Sequence, residues 1–78
     1  MFVTVKSLTT YMDRNMNYVN EAIANKSNFD DATFNSYIER MNELLNKQVY
    51  RLKKISSNDK LINKYTKKVQ ELFKEVVR

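Results

Sequence analysis

The side chains in this sequence best suited to chemistry are cationic, and they are concentrated in one stretch. Between residues 47 and 68 there are eight Lys or Arg side chains and a single acid, Asp59. Such a concentration of positive charge attracts anions. Tyr50 and Tyr65 lie within the stretch, and tyrosine rings stack on nucleic-acid bases. The candidate anion or nucleic-acid face therefore consists of Lys47, Arg51, Lys54, Lys60, Lys64 and Lys68.

A second interpretation is that these cations only make helix surfaces soluble. Lys outnumbers Arg in this stretch, although Arg is the residue that recognises phosphate with two parallel hydrogen bonds. Asn and Lys are abundant along the whole chain. That bias is typical of AT-rich genomes, such as those of low-GC bacteria and their phages and plasmids. From the sequence, both interpretations stay open.

Aromatic side chains form the second group of candidates, because Tyr is enriched at protein interfaces. Phe34, Tyr65 and Phe29 are expected in the hydrophobic core, because they fall on or beside apolar stripes of helical period. The remaining members flank those stripes, where a small core leaves side chains uncovered. The candidate protein-interface residues are Tyr11, Tyr18, Tyr37, Leu44, Tyr50 and Phe73.

Catalysis has little support in the composition. The chain has no His and no Cys, so the commonest general base, the commonest metal ligand and the best side-chain nucleophile are missing. A glycine-rich phosphate loop cannot form, because there is no Gly. The carboxylates fall mostly on polar helix faces or in first turns, where solvation and capping account for them. We expect no enzyme activity, no metal and no cofactor.

The elements that must position these residues are helices. The chain has 78 residues, with no Gly and no Pro, whereas tight hairpins depend on Gly-containing turns. A chain of this length forms one small domain. Without disulfides, good helix packing or self-association must stabilise it. The composition therefore predicts a single all-α domain.

Three segments carry a helical period, and we predict helices at about 7–25, 30–55 and 59–77. Spacings of three and four residues define one apolar stripe in each. The stripes are Leu8, Met12, Met16, Val19 and Ile23; then Phe34, Ile38, Met41, Leu45, Gln48, Leu52 and Ile55; then Ile62, Tyr65, Val69, Leu72 and Val76, with Val77 beside the last. Short polar breaks separate the segments. This pattern predicts an antiparallel three-helix bundle with a long middle helix.

The ends of these helices are predicted from capping residues. Ser7, Thr9 or Thr10 is expected to cap the first helix, and Ser27 or Asn28 the second. For the third, Ser56 followed by Asp59 is the expected capping pattern. In the first break, Asn tolerates the left-handed conformation that ends helices when no Gly is present. Residues 2–5 favour extended structure, so they form either a short N-terminal arm or an edge strand.

Gln48 interrupts the otherwise apolar stripe of the middle helix, and two explanations are open. A buried polar residue fixes the register or the oligomeric state of packed helices at some cost in stability. Alternatively, Gln48 lies where the middle helix leaves the bundle and meets water.

The longest apolar runs are far short of the roughly 20 residues that span a bilayer, and the start lacks the features of a signal peptide. A cytoplasmic location is therefore expected. The function that we predict is binding to another protein or to a second copy, as a regulator, inhibitor or assembly factor. A phage or plasmid origin would fit the size and composition. A homodimer would pair through the Tyr37 and Leu44 edge or the N-terminal arm. The alternative function is nucleic-acid binding through the basic face.

Overall fold

The computed structural model describes residues 3–74 and residue 76. Three α-helices make up this part of the chain: α1 (Val5–Ala24), α2 (Asp31–Ile55) and α3 (Asp59–Phe73). A single 3₁₀ turn, Lys26–Asn28, lies between α1 and α2. Each helix contacts both others, and the bundle measures 40 Å along its longest axis. The predicted all-α, three-helix fold with a long middle helix is confirmed.

The core is built from the three predicted stripes. Met12, Val19, Leu45 and Leu52 are completely buried, and Val69 is nearly so. Burial along the stripes decreases at their ends. Ile55, in the last turn of α2, is exposed. In the last turns of α1, the small Ala22 is buried while Ile23 is only partly covered.

The start of α1 differs from the prediction. Thr4 is the N-cap, and it forms a reciprocal pair with Ser7. The Ser7 N–H donates to Thr4 Oγ1 and the Thr4 N–H donates to Ser7 Oγ, both at 3.0 Å. Because two otherwise unpaired backbone donors are satisfied together, the helix begins at Val5 and the expected cap at Ser7, Thr9 or Thr10 is wrong. The predicted extended arm shrinks to residues 3 and 4, with Phe2 outside the described residues.

The other two caps also lie at different residues. Asp30 accepts from the Thr33 N–H at 2.7 Å. Hydrogen bonds from the backbone and the side chain of Thr33 lower the pKa of the Asp30 carboxyl. Asn58 caps α3 by accepting from the Leu61 N–H at 3.2 Å. The expected caps at Ser27, Asn28 and Ser56 are therefore wrong, because a side chain two or three residues closer to the helix bonds its first turn.

The end of α1 and the end of α3 also depart from expectation. Asn25 closes α1 at a φ of −109°, and no described residue has a positive φ. Its Nδ2 donates to the Glu21 carbonyl at 2.8 Å instead. Phe29, expected in the core, is exposed and tilts against Phe34 with the ring centroids 6.2 Å apart. The α3 helix ends at Phe73, and Val77 lies outside the described residues.

Leu45 provides a test of this core. Leu45→Asp places a carboxylate at a completely buried position, which costs several kcal/mol against a stability of roughly 5 kcal/mol. We expect the variant to be unfolded at 25 °C by far-UV circular dichroism. The matched control is Leu44→Asp at the neighbouring exposed position, which should keep its helicity. Native-like melting of Leu45→Asp would contradict the packing described here.

Candidate functional site

The helices α1 and α2 pack side by side, and α3 covers only one side of the pair. The Tyr65 hydroxyl of α3 donates to the Asp13 carboxylate of α1 at 3.0 Å. Tyr11 is two positions from Asp13, which places it roughly 200° around the helix. On Tyr11's side the cleft between α1 and α2 is open and forms a groove of about 890 Å³. We call it the α1–α2 groove.

Half of each predicted set of site residues meets in this groove. Its wall contains the interface candidates Tyr11, Leu44 and Tyr50 together with the cations Lys47, Arg51 and Lys54. On α2, Leu44, Lys47, Arg51 and Lys54 share one face because they are spaced by three, four and three residues. The sequence predicted an apolar surface and a basic surface as separate features. The structure combines part of each in one concave site.

Tyr18 and Tyr37 continue the apolar side of this surface along the bundle. Each lies seven positions from a groove residue, Tyr18 from Tyr11 and Tyr37 from Leu44, and so falls on the same helix face. Tyr18 is exposed and Tyr37 is half-buried. Burial, and then the neighbouring Glu21 and Tyr18, raise the pKa of Tyr37. Five of the six interface candidates thus lie along the open side of the α1–α2 pair.

The remaining cations lie elsewhere, on α3. Lys60 and Lys64 are exposed and are each two positions from the buried Ile62, so they lie roughly 200° from it around the helix. Lys68 is also exposed, and its Nζ lies 5.2 Å from the centroid of the Tyr65 ring. None of the three lines the groove. The six predicted cations therefore occupy two surfaces rather than one face.

Two aromatic candidates need correction. Phe73 was expected beside the stripe of the third helix, but it is 5% exposed and belongs to the core. The α3 helix turns Phe73 inward and leaves its neighbour Leu72 only partly buried, so Phe73 is closed to a partner. Tyr65 is buried in the core, as expected from its position on the stripe. Its ring is therefore not free to stack on bases, and that candidate role is what needs correction.

A smaller concavity of about 360 Å³ adjoins the groove on α1. It shares Ser7 and Tyr11 with the groove and adds the cations Lys6 and Arg14. Tyr11, which is half exposed, stands between the two. Among the described residues, no carboxylate lines either concavity. Cations on both helices therefore give this surface a positive potential.

Gln48 lies at the base of the groove, where it is 8% exposed. Its Oε1 accepts from Asn15 Nδ2 at 3.3 Å. Gln48 is therefore a buried polar residue within the bundle, and the alternative that it meets water beyond the bundle is wrong. Sequence analysis missed Asn15, which is 6% exposed. The signal was its spacing, three residues after Met12 and four before Val19.

Other classes of site find no support in the part of the chain that the structure describes. No three carboxylate side chains there are grouped so that they could hold a metal ion. None of its helices is both long enough and apolar enough to cross a membrane. No family model, curated protein or solved structure matches this chain. The geometry of the groove is therefore the basis for its proposed function.

The contact between Tyr65 and Asp13 makes stability depend on pH. Burial, and then the hydrogen bond to Asp13, raise the pKa of Tyr65. Since the folded pKa is the higher one, this stabilisation is present below the ordinary value of about 10 and is lost as pH rises through the folded pKa. Tyr65→Phe should lower the free energy of unfolding by about 1–2 kcal/mol at pH 7.

The difference between wild type and Tyr65→Phe should shrink above pH 10, because an ionised Tyr65 faces the Asp13 carboxylate. Urea denaturation at pH 7 and pH 11 measures it. Tyr50→Phe is the control, because the Tyr50 side chain is 62% exposed. An equal difference at both pH values would contradict the assignment.

Proposed function

We propose that this protein is a non-catalytic binding protein that docks another protein in the α1–α2 groove and so acts as a regulator, inhibitor or assembly factor. The observation that carries this proposal is the open side of the α1–α2 pair. There, Tyr11, Leu44 and Tyr50 are 51%, 37% and 62% exposed within one concave surface. Single exposed apolar residues are ordinary, whereas a contiguous set marks an interaction site.

The composition of the groove also suits a protein partner. Tyrosine and Arg are among the residue types that dominate binding energy at interfaces. A tyrosine side chain buries a large area at little entropic cost. The groove supplies two exposed tyrosines, a leucine and one Arg. Lys54 Nζ lies 4.7 Å from the centroid of the Tyr50 ring, which orders both side chains before binding. A partially ordered surface loses less entropy when a partner docks.

Catalysis is not part of the proposal, because the described residues of the groove wall include no carboxylate and no His that could act as a general base. Ser7 Oγ accepts from the Thr4 N–H and donates to the Thr4 carbonyl, both at 3.0 Å, so this hydroxyl is engaged in capping α1. The other polar groups of the groove wall are the cations, the hydroxyls of Tyr11 and Tyr50 and the Gln48 amide. Such groups bind anions and hydrogen-bond acceptors.

Nucleic-acid binding is the second candidate, and the proximity of cations to tyrosines favours it. Lys47, Arg51 and Lys54 lie beside Tyr11 and Tyr50, a combination that binds single strands through phosphate contacts and base stacking. The candidate ranks lower because Lys60 and Lys64 lie on another surface and Tyr65 is buried. The five cations at the groove and the adjoining concavity allow few phosphate contacts, so affinity at physiological salt would be no tighter than micromolar.

A second copy of this chain is a third candidate occupant. In a two-fold dimer the same patch meets itself. Two copies of the α1–α2 groove would then bring Lys47, Arg51 and Lys54 of both chains together, and like charges at an interface are unfavourable. Pairing through Tyr18 and Tyr37, away from these cations, avoids that penalty. Light scattering coupled to size exclusion distinguishes a 9.3 kDa monomer from a dimer.

The decisive experiment uses the protein as bait in lysate of its native host, with and without nuclease. The groove variant is Tyr11→Ala with Leu44→Ala, and the matched control is Lys60→Ala with Lys64→Ala on α3. Truncation of these two exposed apolar side chains of the groove should weaken docking at least tenfold. We therefore expect a protein that is captured despite nuclease, is lost with the groove variant and is retained by the control.

Two results would contradict this expectation. Capture that disappears with nuclease would support nucleic acid as the ligand. A nuclease-resistant protein captured equally by wild type and the groove variant would place the binding surface elsewhere. Circular dichroism of each variant shows whether the bundle stays folded, so that loss of capture is not mistaken for unfolding.

A further inference from the structure

The walls of the α1–α2 groove restrict the backbone conformation of its occupant. Both walls are α-helices, whose central backbone N–H and C=O groups are already paired within each helix. An extended segment would find no strand edge to pair with, and its own buried backbone groups would lose water without compensation. A helix satisfies its backbone internally. The occupant that this groove accepts at least cost is therefore a helix.

The length of the wall sets the length of that helix. From Leu44 to Lys54 the α2 wall covers ten residue steps, or about 15 Å at the helical rise. A partner helix of about three turns would cover it. On the opposite side of the α1–α2 pair, α3 fills the corresponding cleft with 15 residues. A helix in the open groove would thus be the fourth helix of a bundle.

Charge determines the side chains that such a helix must carry. Lys47, Arg51 and Lys54 lie along the α2 wall, and Lys6 and Arg14 lie beyond Tyr11 on the α1 side. The apolar surface between these cations is formed by Leu8, Leu44 and the Tyr11 ring. A complementary helix has a narrow apolar stripe flanked by carboxylates on both sides.

Gln48 adds one hydrogen-bonding group to the floor of the groove. Its Oε1 is engaged by Asn15, which leaves its amide nitrogen as a donor. Among the described residues, no fully buried side-chain nitrogen or oxygen lacks a hydrogen bond, so this nitrogen is not fully buried, and Gln48 itself lines the groove. A polar acceptor within the partner's apolar stripe would pair with it and fix the register of docking.

Resting on the proposed function, we propose that the α1–α2 groove takes an acidic amphipathic helix of a different protein as a fourth helix of the bundle. A second copy of this chain is a poor source of that helix. In the described residues, the apolar stripes of α1, α2 and α3 are already buried in the core. The surface that a second copy would offer at the groove is itself cationic.

The probe is a synthetic, fluorescein-labelled peptide of about four turns, with Leu at helical i, i+3, i+7 and i+10 positions and Glu on both flanks. Three comparison ligands are a scrambled peptide of the same composition, a peptide with Lys in place of each Glu, and labelled single-stranded and duplex oligonucleotides. Fluorescence anisotropy with the full chain should give a Kd of tens of micromolar for the acidic helix, which is about −6 kcal/mol. Binding of the scrambled and basic peptides should be at least tenfold weaker.

Matched charge reversals test the site. Lys47→Glu with Arg51→Glu should weaken binding of the acidic helix at least tenfold. Lys60→Glu with Lys64→Glu on α3 changes the net charge equally and should leave the Kd within about twofold. The basic peptide should bind the Lys47→Glu, Arg51→Glu variant more tightly than it binds wild type. Exposed charges contribute little to stability, so both variants should keep the melting temperature of the wild type.

Three outcomes would overturn the proposal. The first is equal affinity for the acidic and the scrambled peptide. The second is an equal loss of affinity in the α3 control variant. The third is an oligonucleotide that binds wild type more tightly than the acidic helix does and displaces it. Failure here is separable from failure of the proposed function. A host protein that the bait captures through the groove, with no affinity of the groove for the acidic helix, would leave protein binding intact and refute only this docking mode.

Discussion

The packing of α1 on α2 is the interaction on which the rest of this structure depends. It is the most extensive contact between helices, and it buries Met12, Val19, Leu45 and Leu52 completely. With no disulfide available, apolar burial along such seams supplies most of the stability. Two helices packed in this way leave a cleft on each side. The α3 helix covers one cleft and leaves the other open. The candidate site lies in the open cleft.

Spacing alone predicted which residues form this seam, because burial on one face of a helix requires only local periodicity. Met12 and Leu45 were identified correctly for that reason. The same reasoning was weaker at helix ends, where several Ser, Thr, Asn and Asp residues compete for the first backbone donors. Thr4 rather than Ser7 caps α1, because the two side chains satisfy each other's backbone N–H. That reciprocal geometry requires coordinates, since both residues are favourable caps by type.

The candidate site was predictable in its residue types but not in its assembly. Tyr11 and Leu44 were identified as stripe-flanking, and Lys47, Arg51 and Lys54 as part of a basic stretch. Whether flanking residues of two helices face each other depends on how each helix is rotated about its axis. Phe73 illustrates this dependence, because Leu72 and Phe73 lie about 100° apart around α3 and the rotation of the helix decides which of them is buried. Whether the cations of α2 and α3 share one surface depends on the same rotation.

The pair formed by Asn15 and Gln48 connects the core to the candidate site. Burying two amides costs free energy that one hydrogen bond only partly offsets, so two apolar side chains of similar size would pack at least as favourably. The pair aligns α1 with α2 at one register, because a shift by a helical turn would leave both amides unpaired among Met and Leu side chains. Gln48 also lines the groove. The register that this pair favours is therefore the one in which Tyr11 of α1 and the cations of α2 line the same open cleft.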